Sequence, residues 1–179
     1  MHFAELVHAW HDFYLLLGTA AATLVGLMFV AASIGANVFR EDNRAAMQAF
    51  LSSTVVHFVA VLMVCVVLEV PTHSWPGLAA LLTLAGIAGG AYSARNLMHI
   101  LIRRSFKVDM IDRLFYALIP IVGYLLILAA AALMFAQPQW GMDTLAAALI
   151  VLMLAGLRNA WDMMTWIVIK TPGERGSGR

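Results

Sequence analysis

Long apolar runs separated by short polar breaks constrain this chain more than any other feature. Five stretches, about 13–39, 46–70, 76–102, 114–136 and 144–169, each supply the ~20 predominantly apolar residues that a helix needs to cross a bilayer. Little chain remains between them, so a separately folding extramembranous domain has no room. In hydrocarbon every backbone N–H and C=O must be paired within the protein, and a helix achieves this for each run by itself. The expected fold is all-α: a polytopic membrane helical bundle of five transmembrane helices, one domain over 1–179, ending in a polar cytoplasmic tail at 171–179.

Composition identifies the same solvent. Hydrophobic residues make up 63% of the chain and charged residues 12%, against roughly 45–50% and about 25% in soluble domains. The first run has the look of a secretory signal, but the segment before it lacks Lys and Arg and carries Glu5 and Asp12, so a retained helix is expected. The single cysteine, Cys65, lies inside the second run, which excludes an intrachain disulfide or thiolate zinc site and suits a small core residue.

Charge then orients the bundle. Every Lys and Arg except Arg95 and Arg158 falls on one side: Arg40 and Arg44, the stretch 103–113, and Lys170 with the tail. The other side, made of residues 1–12 and the turns Pro71–Trp75 and Gln137–Asp143, has none. The positive-inside rule gives an N-out, C-in topology in a bacterial-type cytoplasmic (inner) membrane, with Trp10, Tyr14, Trp75 and Trp140 as anchors at the outer boundary. The basic loop 103–113 is a candidate contact for anionic lipid, although such loops chiefly set topology.

A weak internal repeat accompanies this pattern. Arg95-Asn96 in the third run and Arg158-Asn159 in the fifth are each followed three positions after the Asn by a polar residue, His99 or Asp162, and each run follows a turn containing Pro and Trp. Spans two-three and four-five therefore read as possible duplicated hairpins in parallel orientation.

Ionisable side chains within apolar spans are costly unless they face a partner or a wet cavity, and each is a functional-site hypothesis. Arg95 lies about 12 Å in from Arg103, and Asp162 about 12 Å in from Lys170. Asp162 also stands one turn from Arg158. A cluster of Arg95, Arg158 and Asp162 is expected, joined by His57, Asn96, Asn159 and Tyr124, with a net positive charge. Its bland alternative is a structural ion-pair network, and buried histidines usually satisfy a neighbour. Thr19, Thr23, Gly26, Ser33 and Asn37 form a stripe on the first helix that is expected to point inward. Pro120 is expected to kink the fourth helix and free a carbonyl near Tyr116. Helix-packing positions are Gly18, Ala22 and Gly26 in the first run and Gly86, Gly90 and Ala94 in the third, serving the bundle or a homo-oligomer.

Metal and cofactor signals are faint. Glu5, His8 and Asp12 share a helical face with His11 adjacent, but a zinc or copper site wants further ligands and a second shell. His57 and His99 sit at mismatched depths for shared haem ligation, and the 11 methionines lack a repeated spacing. No HExxH, Gly-x-Ser-x-Gly or clustered carboxylate motif occurs. The expectation is therefore no enzyme, cofactor, metal or nucleic acid. Two functions remain: a small oligomeric transporter or channel, with a cytoplasm-facing site for a small anion or a proton-coupled solute, or a non-enzymatic partner or regulatory subunit of a larger membrane complex.

Overall fold

A computed structural model describes the backbone at residues 3–35, 41–70, 74–102 and 118–170, and the side chains at 5–33, 54–70, 74–98 and 118–165. The described elements are five helices: α1 (Phe3–Gly35), α2 (Glu41–Leu68), α3 (Trp75–Ile102), α4 (Ile119–Ala136) and α5 (Pro138–Lys170). The segments Glu5–Ser33, Trp75–Met98, Ile119–Ala136 and Pro138–Thr165 are long and apolar enough to cross a membrane. α2 contributes a shorter apolar stretch, Thr54–Leu68. The basic loop 103–113, Asn37, Tyr116 and the 171–179 tail lie outside the described residues.

Helix boundaries follow local chemistry. α1 begins ten residues before the apolar run, because Phe3–Asp12 contains no helix breaker and continues the same rod. Between α4 and α5 the expected turn shrinks to Gln137, which leaves helical geometry at φ −146° and returns its N–H to Leu133 O at 2.7 Å. Pro138 then opens α5, where its missing donor costs nothing. This corner is so tight that a Cβ on Gly141 would stand 2.7 Å from Met134 Cγ and 3.0 Å from its backbone nitrogen. Pro120 stands in the first turn of α4 as described, Ile119–Ala136, and the residues before Leu118 on which a kink would depend lie outside the described residues.

Two ends of the bundle are distinguishable: a tryptophan end with Trp10, Trp75 and Trp140, and an arginine end with Arg95 and Arg158. α4 packs along α5 and along α3, α2 packs on α1 and α5, and the ring closes only thinly between α2 and α3. Tyr14, Phe58, Leu78, Leu82, Tyr124, Ile127, Met134, Leu145, Leu149 and Leu152 fill the core. Tyr14 was expected as a boundary anchor but is buried, and its hydroxyl donates to Met142 O at 3.2 Å, tying α1 to α5. Trp10 and Phe13 pack around its ring.

The two hairpins of the sequence repeat do not pack alike. α4 and α5 lie together along their length, whereas α2 and α3 diverge. Small residues explain the close seams. Gly123 admits the Leu152 side chain, Gly86 admits Leu128, and Gly156 admits the Phe58 ring, each within 2.7 Å of where a Cβ would stand. The facing positions of α2 and α3 instead include Val56, Val59, Met63, Leu81 and Leu82, which hold the backbones apart.

Candidate functional site

Among the described residues four polar side chains are buried: Thr54 and His57 on α2, Ser93 on α3 and Asn159 on α5. Tyr124 of α4, 1% exposed, joins them. Thr54 and His57 are three residues apart and so project from one face of α2. His57 Nδ1 and the Tyr124 hydroxyl are hydrogen-bonded at 3.0 Å, with ring centroids 5.8 Å apart. Either the phenol donates to Nδ1 or Nδ1–H donates to the phenol oxygen. In both cases His57 Nε2 keeps its own capacity, and it finds no hydrogen-bond partner among the described residues although the residue is 0% exposed. Ser93 Oγ is likewise buried without a hydrogen-bond partner among the described residues. A buried polar atom left unpaired costs about 1–3 kcal/mol.

A glycine that the sequence reading passed over seats the tyrosine. A Cβ on Gly89 would lie 2.0 Å from Tyr124 Cε1, so only a hydrogen there lets the ring lie against α3. Gly90 sits in ordinary contact with Tyr124 Cβ, at 3.7 Å. The four-residue spacing drew attention to Gly86 and Gly90. The signal for Gly89 was its place one turn before Ser93 on the same face.

The expected three-residue charge cluster does not assemble. Arg158 and Asp162 form an ion pair within α5, and both side chains are partly exposed. Arg95 is exposed on α3, and among the described residues no ion pair joins it to Asp162. The reason is topological, since α4 lies between α3 and α5. Asn96 is half-buried, while Asn159 is fully buried. Among the described residues the arginine end therefore holds a neutral pair and a separate cation.

The α1 stripe also turns outward, against expectation. Thr19, Thr23, Gly26 and Ser33 are exposed, and the hydroxyls of Thr19, Thr23 and Ser33 donate to the carbonyls one turn back at 2.8, 2.9 and 2.8 Å. Hydroxyls satisfied in this way need no polar neighbour. Of the small residues in this helix, Gly18 packs on Cys65, with 3.0 Å between its would-be Cβ and that of the cysteine, while Ala22 is exposed and Gly26 faces open space. Cys65 is buried, as expected of a core residue.

At the N-terminus, Glu5, His8 and Asp12 are exposed, and no group of three metal-capable side chains forms among the described residues. The partner of His11 is Glu69, its Nδ1 lying 2.7 Å from Oε2, which fastens α1 to the end of α2.

The thin α2–α3 seam leaves a lateral groove of about 360 Å³, walled by apolar side chains with the rings of Tyr92 and Tyr124 among them. Val59, Met63 and Leu81 on its rim are exposed, so it opens sideways from the bundle.

No protein-family model, no curated protein and no solved structure matches the chain.

Proposed function

We propose that this chain is a small oligomeric transporter or channel of the cytoplasmic membrane, with five spans, its N-terminus outside and its C-terminus inside. Its site is the buried His57–Tyr124 pair, with the buried polar residues Ser93 and Asn159 on neighbouring helices as further candidates, rather than an arginine cluster. One observation carries this reading: a fully buried histidine, hydrogen-bonded to Tyr124 of another helix, whose Nε2 has no hydrogen-bond partner among the described residues. Histidine changes charge near neutral pH and exchanges protons with a bound solute, so it suits proton-coupled passage of a small anion or polar solute. Leu145, Leu149, Leu152 and Ile127 close the tryptophan side of the core and Met28, Phe58, Ala160 and Met163 close the other, so the proposed access from the cytoplasmic side requires the second, smaller cluster to open. Five spans enclose little volume, so an oligomer is part of the proposal.

The second reading is a non-enzymatic partner subunit of a larger membrane complex. It is favoured by Arg95 and the α1 hydroxyl stripe, which face away from the bundle instead of lining a passage.

Purified full-length protein in proteoliposomes loaded with a pH dye and assayed across a panel of small anions decides between them. The transport reading expects flux above protein-free vesicles, reduced about 10²-fold by His57→Ala, as for loss of a proton-transfer group, with Arg158→Gln much less affected. Wild-type vesicles that stay as tight as empty ones would leave only the partner reading.

A further inference from the structure

From the groove and an arginine one turn beyond it, we infer that the α2–α3 face binds a single phospholipid, one acyl chain lying in the groove and its phosphate on Arg95. The groove walls run from Val56 to Val67 on α2 and from Leu81 to Tyr92 on α3. Eleven helical steps on each wall give a length of about 16 Å. That is close to half the ~30 Å hydrocarbon thickness, and the groove lies nearer the Arg95 end of α3 than the Trp75 end, within reach of one chain descending from the Arg95 level.

Depth and direction place the cation at the correct end. Trp75 opens α3, and tryptophan prefers the headgroup level. Twenty residues further, about 30 Å along the helix, stands Arg95. If Trp75 marks one interface, Arg95 therefore marks the other. Arg95 also continues the row Leu81, Ala85, Ala88 and Tyr92 at three- and four-residue steps, so it rises from the groove face one turn beyond Tyr92. It is exposed, and no ion pair engages it among the described residues. A planar guanidinium at that level matches a phosphate in bidentate fashion. An apolar slot of leaflet length capped by an unengaged arginine has the polarity profile of a phospholipid. Tyr124 borders both the groove and the His57 pair, but a lipid held here needs no passage of solute, so this inference stands apart from the transport reading.

Photo-crosslinking tests it. The full chain is placed in phosphatidylcholine nanodiscs doped with phosphatidylglycerol carrying a diazirine in one acyl chain, and adducts are mapped by mass spectrometry. The expected result is adducts concentrated at Met63, Leu81 and Ala85. Ala85→Phe, which fills the groove, lowers them about fivefold, and so does Arg95→Gln, in keeping with the loss of one arginine–phosphate contact. A diazirine fatty alcohol, which has no phosphate, responds to Ala85→Phe and ignores Arg95→Gln. Should Ala85→Phe not fold, Met63→Trp on the exposed rim narrows the same groove and replaces it. Adducts spread evenly over the outward faces of α1 and α4 would overturn the inference, as would phospholipid adducts indifferent to Arg95→Gln. So would an oligomer that dissociates when the groove is filled, which would make a second copy the occupant.

Discussion

The α3–α4 and α2–α3 seams share one helix and differ in almost everything else. On the α4 side, α3 presents Gly86, Gly89 and Gly90, and the backbones approach until Tyr124 and Leu128 lie where a Cβ would be. On the α2 side it presents Leu81, Leu82, Ala85 and Ala88 to Val56, Val59 and Met63, and a groove remains. Lipid tails are as apolar as leucine, so helices in a bilayer are held together by close packing rather than by expulsion of water. Where glycine permits contact, the bundle is tight, and where branched side chains stand opposite one another, lipid competes on equal terms.

The largest effect should come from forcing the tight seam apart. Gly89→Val puts methyl groups inside the Tyr124 ring position, and a destabilisation of about 3 kcal/mol is expected, at the upper end of overpacking. Thermal unfolding in detergent checks it, and an unchanged midpoint would mean that the α3–α4 contact is not as close as described.

A matched pair of truncations sharpens the contrast. Ile127→Ala, at a position 0% exposed in the α4 core, should cost about 2 kcal/mol, the lower end of core deletions because lipid replaces part of the lost contact. Met63→Ala on the groove rim, 49% exposed, should change stability by less than about 0.5 kcal/mol. Equal losses at the two sites would show that the groove is packed in solution.

The smallest effect belongs to α1. Gly26→Val meets open space and should shift stability by no more than about 0.5 kcal/mol. A large loss there, accompanied by a change in oligomer mass, would reveal that the outward face of α1 is an interface.

Much of the architecture was legible along the chain. Each apolar run is a local quantity, and a helix satisfies its own backbone, so the helices follow from composition within a window of about 20 residues. Their ends were less legible. The start of α1 and the Gln137 corner depend on continuity and close contact, not on hydropathy. Among the site residues, His57, Asn159 and Tyr124 were recognised as polar groups in apolar spans, and they are buried. The Arg95–Asp162 pairing was misjudged because depth along two helices says nothing about which helix stands between them. The α1 stripe was misjudged for a related reason, since a hydroxyl that bonds its own helix carries no information about which way it faces.

Sequence alone determined that this chain is a set of long apolar helices, and that arginine and histidine stand within them at given depths, because rise per residue and hydrophobicity belong to each segment by itself. Tertiary structure alone decided that α4 separates Arg95 from Asp162, that Gly89 lets Tyr124 reach His57, and that α2 and α3 part to form a groove. These depend on the lateral order and spacing of helices, which small residues set through contacts between segments far apart in the chain.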